Sequence, residues 1–397
     1  MVLTLLFTLI WCSLFVAYGL LIDYYRKAWT AIPEFEASAH SGHTPISVLI
    51  PVRNEEANIA QCLESLSRQS YSKSLYQVII IDDHSTDATH AIIAGLQLPG
   101  MNLIYTRLVD LANAQNAYKK LAIRTGISLS TGDLIVTTDA DCRFHPDWLG
   151  TLAAFYEQKG AKFIAAPVRI TTAAIPYHPA AAQATAVAPG FLPVFQTLDF
   201  ITLQGITGAS VFKKFHSMCN GANLAYEKRA FFEVEGFKGI DTIPSGDDML
   251  LMHKIYNKYP DRVFFLKSPK TIVSTQPATT WKAFVHQRIR WASKADRYDD
   301  KRIFRVLLFV YLVNLMFVIL LVAGCWNSWW LLLLILGLLA KTMLEFPFVY
   351  SVAGFFDQQA LMRWFPLLEP FHILYIVVIG WMGKFSSYNW KDRKISK

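Results

Sequence analysis

Leu134-Ile-Val-Thr-Thr138-Asp139-Ala140-Asp141 is the stretch on which the fold turns. Its apolar and β-branched run reads as a short strand buried on both faces, and it ends directly in two carboxylates separated by one residue. Pro146-Asp147-Trp148 follows and opens a helix. Upstream, Ile46 to Pro51 (ISVLIP) reads as another buried strand, Glu55 to Gln69 as an amphipathic helix, and Val78 to Ile81 as a strand ending at Asp82. From about Pro45 to Ala295 such short β-rich runs alternate with polar helical stretches, the pattern of a mainly parallel α/β sheet. Polar residues just past strand C-termini sit where open α/β sheets bind ligands.

The chain is 397 residues long, 53% hydrophobic, with a mean hydropathy of +0.29, too apolar for a purely soluble enzyme. Met1 to Ile22 is free of charge until its end, spans a bilayer by length, and is followed by Arg26 and Lys27. The flanks of a cleaved signal peptide are missing, so it reads as an anchor, and the positive-inside rule puts the next domain in the cytosol. Beyond Arg305 come three apolar blocks, Val306 to Trp326, Trp329 to Tyr350 and Phe365 to Trp381. Lys341 and Glu345 fall one turn apart in the second, and Glu369, Pro370 and His372 interrupt the third. Three full crossings there would carry the basic tail (Lys391, Arg393, Lys394, Lys397) outside, so one of the last two blocks is expected to be re-entrant or interfacial. The organisation expected is an anchor over residues 1–27, a catalytic domain over 45–300, membrane or re-entrant helices over 303–384 and a basic tail over 385–397. Ala173 to Ala209, rich in Ala, Pro and aromatics, reads either as a segment on the membrane surface or as a buried loop and helix pair.

The net charge of +8 fits anionic headgroups and phosphorylated substrates; the basic residues form no nucleic-acid-binding motif, and no nucleic-acid partner is expected. Five cysteines without a CxxC pair indicate neither a disulfide framework nor a structural zinc site.

Four features carry chemistry. Pro51-Val-Arg-Asn54-Glu55-Glu56 and Asp82-Asp83-His84-Ser85-Thr86-Asp87 end the first two strands. Asp83 is the candidate for reading a base through its imide N–H, whereas Asp82, Ser85 and Asp87 read as caps of the next helix. In Asp139-Ala-Asp141 one carboxylate can hold Mg²⁺ or Mn²⁺ while the other steadies a ribose or the ion's water shell. Ser245-Gly246-Asp247-Asp248 opens an apolar helix, and Asp248 reads either as a charge complementing the helix dipole or as a general base. Gly246 would give substrate room to approach. Gln287-Arg288-Ile-Arg290-Trp291 lies on a basic helix before the lipid, which by composition reads as an amphipathic helix on the membrane surface; the Arg290-Trp291 pair reads instead as a diphosphate clamp and a sugar face.

With these four features in order, the chain resembles glycosyltransferase family 2, specifically the membrane-bound subgroup with the D, DxD, D, QxxRW pattern, which includes ceramide glucosyltransferase and the poly-N-acetylglucosamine, cellulose and hyaluronan synthases. The resemblance implies a GT-A fold with one N-terminal and two or three C-terminal transmembrane helices. It also implies a UDP-sugar donor, Mg²⁺ or Mn²⁺, and inversion to a β-linked product. Carried over residue by residue, it puts Asp83 at the uracil, Pro51, Asn54, Glu55 and Lys119 at the donor, and Asp139 and Asp141 at the metal and ribose. Asp248 becomes the base, Arg290 completes the diphosphate site, and Asn220, Gly221, Asp247, Gln287 and Trp291 face the acceptor. Tyr118 stands where the family usually has a glycine before Lys119, and the acidic pair is Asp-Asp where many members have Glu-Asp. The partners implied are a nucleotide-sugar donor, a lipid or growing glycan acceptor and membrane lipids, at a bacterial inner membrane. The small C-terminal helical portion favours transfer to a lipid over processive polysaccharide synthesis. A non-catalytic membrane scaffold retaining the fold is the third reading.

Overall fold

The computed structural model describes residues 2–37, 42–108, 118–171, 190–216, 218–241, 243, 246–293, 300–385, 388–390 and 393–395. Part of the Ala173 to Ala209 segment, Ser245, and Lys391 and Lys397 of the tail therefore lie outside the described residues. In chain order the helices are α1 (Val2–Ala31), α2 (Ile59–Ser67), α3 (Thr89–Gly95), α4 (Tyr118–Leu129), α5 (Trp148–Lys159), α6 (Phe191–Phe212), α7 (Lys228–Glu233), α8 (Met249–Lys258), α9 (Trp281–Ala292), α10 (Lys301–Ala323), α11 (Ser328–Phe355) and α12 (Phe365–Phe385). The strands are β1 (Ile46–Val52), β2 (Tyr76–Asp82), β3 (Asn102–Arg107), β4 (Leu134–Thr137), β5 (Phe163–Ala165), β6 (Val168–Ile170), β7 (Leu224–Glu227), β8 (Val263–Phe265), β9 (Val273–Thr275), β10 (Tyr388–Trp390) and β11 (Arg393–Ile395).

Seven strands form one sheet in the order β3-β2-β1-β4-β7-β5-β8. All neighbours run parallel except β7, which is antiparallel to both β4 and β5, so the sheet is mainly parallel and mixed. Every residue of β2 is buried, and in β1 only Pro51 is not, which is why these strands read as unbroken apolar runs. The period of two still sorts the side chains: Ile46, Val48, Ile50 and Val52 enter a core on one face with Leu63, Trp148 and Leu152. Leu49, Ile79, Ile81 and Ile135 enter the other, which continues without a break into Tyr25 and Trp29 of α1, Phe317 of α10 and Val352 of α11. The sheet domain and the apolar helices therefore share one core.

Among the described residues, four helices are long and apolar enough to cross a membrane: α1, α10, α11 and the stretch Gln359–Lys384, which takes in all of α12 but its last residue. Lys341 lies 2.6 Å from Glu345 on the same face of α11 and also pairs with Glu369 of α12, while the Tyr18 hydroxyl of α1 donates to Glu345. Three charges and a hydroxyl, all buried, thus tie three helices together where no water competes. α12 runs about 32 Å by its 21 residues. Just before it, Gln358 donates to the Ile170 carbonyl of β6 at 2.9 Å, and near its other end Gly383 lies against Ala292 of α9. The chain leading into α12 thus touches the sheet domain, and the far end of α12 packs on α9. α6, in the segment read either as a membrane-surface stretch or as a buried loop and helix pair, is a helix of 22 residues, buried on most sides.

Candidate active site

The C-terminal edges of β1, β2 and β4 bring their following loops to one rim of the sheet. Asn54 and His84 each take a left-handed backbone (φ +50° and +56°), one residue beyond a strand's immediate successor, a strained conformation that concentrates at functional sites. The two loops are stitched together: the Asn54 amide donates to Ser85 Oγ at 3.1 Å and Asn54 Oδ1 accepts the Thr86 amide at 2.9 Å. Glu55 is held by its amide donating to Thr89 Oγ1 at 2.8 Å. Asp83 is buried beside β1, its amide donating to the Val52 carbonyl at 2.8 Å, with Oδ1 3.3 Å from the His84 ring. Asp87, one residue outside the N-cap Ala88, accepts the Thr89 amide that opens α3 at 3.0 Å. Asp82 and Ser85 depart from the expected capping: Asp82 accepts the Ser85 amide and the Tyr105 hydroxyl, and Ser85 serves Asn54, because the turn between strand and helix needs its own closure.

At the end of β4, Lys119 of α4 gathers the acidic residues. Its Nζ donates to Asp139 Oδ1 at 2.8 Å and lies 3.5 Å from Asp247 Oδ2. Burial alone would lower the Lys119 pKa, but Asp139 and Asp247 outweigh it and hold the ammonium well above its ordinary value. Asp248 caps α8, Oδ1 accepting the Met249 amide at 2.7 Å, while Oδ2 accepts the Gly221 amide at 3.1 Å. Gly221 is wedged among these groups: a Cβ there would stand 3.2 Å from Lys119 Nζ and 3.4 Å from Asp248 Oδ2. Asn220 is spent on its own turn, Oδ1 accepting the Ala222 amide at 3.0 Å. Gly246, expected to make room for substrate, instead takes φ +83° with Leu250 packed against it, so a left-handed turn is what requires glycine there.

Asp141 is set deeper. Its Oδ2 accepts the Thr275 hydroxyl at 3.0 Å, and burial, with Asp139 and Glu55 adding repulsion, pushes its carboxyl above the usual range. Among the described residues no three acidic, His or Cys side chains form a complete metal cage. Two hard carboxylates, one raised by burial and the other already holding an ammonium, nevertheless suit an ion such as Mg²⁺ or Mn²⁺ that keeps its remaining positions for water and phosphate oxygens.

α9 carries Gln287, Arg290 and Trp291 and reaches the domain through α6. Trp291 packs on Phe200, ring centroids 6.0 Å apart. Arg288, quoted within the motif but given no role by the sequence, is the buried member: Nη2 lies 2.8 Å from Asp199 Oδ2, and the guanidinium sits 4.3 Å from the Trp291 ring centroid. Burial alone would raise the Asp199 carboxyl, yet Arg288 and His372 hold it below the usual range. Thr275 and Asp199 also went unread, since neither a lone threonine near a proline nor one aspartate in an apolar stretch signals a partner distant in sequence.

A glycosyl transferase family group 2 model matches residues 134–381, more than half of the chain, and a glycosyl transferase family 2 model matches residues 47–206. The chain belongs to glycosyltransferase family 2. This family 2 glycosyltransferase is 32% identical over 126 residues to glycosyltransferase AglE of Haloferax volcanii, covering 32% of its own length and 40% of AglE. Against the probable glycosyltransferase YdaM of Bacillus subtilis it is 27% identical over 256 residues, 62% of its length and 54% of YdaM. Against a β-monoglucosyldiacylglycerol synthase of Nostoc it is 32% identical over 116 residues, 29% of its length and 24% of the synthase. The chain thus spans about half or less of these curated relatives. In structure it is similar to mannosyltransferase PcManGT of Pyrobaculum calidifontis, in complex with GDP-Man and Mn²⁺, with TM-score 0.55 and 16% identity over 93% of this chain and 98% of that one. That likeness establishes the GT-A fold.

Proposed function

We propose that this enzyme transfers a sugar from a nucleotide diphosphate donor, a UDP-sugar first, to a hydroxyl of a membrane lipid, with inversion to a β-linkage. The observation that carries the reading is the convergence of Lys119, Asp139, Asp247, Asp248 and Gly221 within hydrogen-bond and ion-pair reach, at the strand ends of a GT-A sheet whose core runs into apolar helices. Asp83, beside the Asn54 and Glu55 loop that continues from Pro51, is assigned to the base. Asp139 and Asp141 would hold Mg²⁺ or Mn²⁺, which when bound neutralises the diphosphate and so favours its departure. Lys119 and Arg290 are assigned to the same leaving charge.

Asp248 accepts the proton of the acceptor hydroxyl as that oxygen attacks the anomeric carbon and the bond to the diphosphate breaks, the electron pair leaving with the nucleotide. Its free lone pairs are directed by two backbone amides already bound, those of Gly221 and Met249. Asn220, Gly221, Asp247, Gln287 and Trp291 are assigned to the acceptor. The lipid acceptor is favoured by the shared core of the sheet domain and the helices, and by the glycolipid named for the Nostoc relative. The GDP-mannose of the structural neighbour widens the donor panel to be tried.

The experiment is turnover in detergent with lipid extract and Mn²⁺, against UDP- and GDP-sugars. Nucleotide release with one donor, and label entering the organic phase, are expected. Label in a high-molecular-weight aqueous product would replace the lipid reading with processive synthesis, and no release with any donor would favour the scaffold reading.

A further inference from the structure

α6 presents one face to α9. Gln196, Asp199 and Phe200 fall at i, i+3 and i+4, so they line up along α6, and each receives a group from α9 or the turn leading into it. Gln196 exchanges two hydrogen bonds with the Ala278 backbone, at 3.0 and 2.9 Å. Asp199 faces Arg288 at 2.8 Å, and Phe200 faces Trp291. The side chains of Arg288 and Asp199 are only 2% and 5% exposed. From a third direction, His372 of α12 brings Nε2 to 3.5 Å from Asp199 Oδ1.

A buried ion pair is an expensive way to join two helices, since apolar residues of similar volume commonly hold them as well or better. What a guanidinium adds is a rigid planar group that stacks on aromatic faces. Arg288 uses that plane on both Trp291 (4.3 Å) and Phe284 (5.0 Å), which lie one turn to either side of it on α9. α9 packs chiefly along α12, but the charge of Arg288 is balanced across to α6 by Asp199, so the guanidinium on which the indole lies is held from off the helix.

We propose that Asp199 and Arg288 are positioning residues for glycosyl transfer, holding Trp291, and with it Gln287 and Arg290, at the angle the substrates require. The proposal rests on the reading of α9 as a substrate helix. Neither residue touches substrate; their effect is transmitted through the indole.

The test uses the full chain in detergent, labelled with 5-fluorotryptophan, with the Trp291 ¹⁹F resonance identified by its loss in Trp291→Phe. Arg288→Lys keeps the buried charge balanced but loses the stacking plane. It is expected to lower kcat by about 10- to 100-fold, the cost of a misplaced group, and to leave donor KM within about twofold. The Trp291 resonance should broaden or split while the melting temperature holds. The double variant Asp199→Leu/Arg288→Met replaces the pair with apolar volume; it should fold and melt like the wild type and still show the low kcat and the altered resonance. Recovery of kcat to within about threefold of wild type in that variant, with a sharp unshifted resonance, would overturn the proposal and leave the pair a stability element. Should the wild type turn over no donor, the functional reading fails, and the resonance alone still decides whether the pair orients Trp291.

Discussion

Asp248→Asn separates two roles that one carboxylate holds at once. As the cap of α8 it accepts the Met249 amide at 2.7 Å, and as the proposed base it is directed at the acceptor by the Gly221 amide at 3.1 Å. Asparagine caps a helix about as well as aspartate, and its side-chain oxygen can keep one of the two amide bonds, so the cost in stability is about 0.5 to 1 kcal/mol. That moves the melting temperature of a chain this long by roughly 1–4 °C. The amide cannot take a proton, so transfer should fall by about 10²- to 10⁴-fold, the usual worth of a general base. The assay is nucleotide release and lipid labelling at saturating donor, beside a melting curve of the same preparation. Transfer within about tenfold of wild type would sink the base assignment and reduce Asp248 to a cap. A collapse of the melting temperature would refute the isosteric-cap argument instead.

Chelation with EDTA should abolish turnover, and Mn²⁺ should raise the melting temperature of the wild type but not of Asp139→Asn/Asp141→Asn; an unshifted wild type would count against a metal on these carboxylates. His216, buried with Nε2 3.0 Å from both the Tyr25 hydroxyl and Ser210 Oγ, has its pKa lowered to about 4, chiefly by burial. Between its unfolded value and that one the unfolded chain binds the extra proton, so stability rises with pH across this window, by about 1.4 kcal/mol per unit. Melting curves from pH 4.5 to 6.5 should show this slope, and His216→Gln should flatten it; an equal slope in the variant would remove His216 as its source. α12, approached from the sheet domain at Gln358 and packed at its far end on α9, should return the tail to that domain's side. Asn389→Cys is then expected to react with an impermeant maleimide from the same side as Ser128→Cys, in a background lacking Cys12 and Cys325, and reaction from opposite sides would make α12 a full crossing.

Much of this was legible because parallel strands buried on both faces cannot hide. β1, β2 and β4 announce themselves as apolar runs, and the residues just past them mark the rim by topology alone. Boundaries slipped where side chains, not propensity, close the turn. The helix expected from Glu55 begins at Ile59, because the Glu55 amide is bound to Thr89 and its carbonyl accepts from Asn58 and Ile59. α6 was only one of two open readings for the opposite reason: a helix buried on most sides shows no polar stripe, and its period vanishes into uniform apolarity.

Burial ranks residues that sequence had no means of ranking. Arg288 and Arg290 are two basic residues on one helix, alike in composition and about 200° apart in azimuth. Only packing against α6 distinguishes them, burying Arg288 against Asp199 and leaving Arg290 partly exposed. Buried charge is thus of two kinds here. Lys341, Glu345 and Glu369 satisfy one another inside the apolar bundle, whereas Arg288 is balanced in charge by Asp199 of α6 without a hydrogen bond between them. Because His372 of α12 also faces Asp199, a displacement of α12 by a bound lipid would be felt first at the carboxylate that sets the angle of α9. If that coupling operates, His372→Phe should alter the KM for the lipid acceptor while sparing nucleotide release to water, and equal losses in both would show that α12 and α9 move independently of the acceptor.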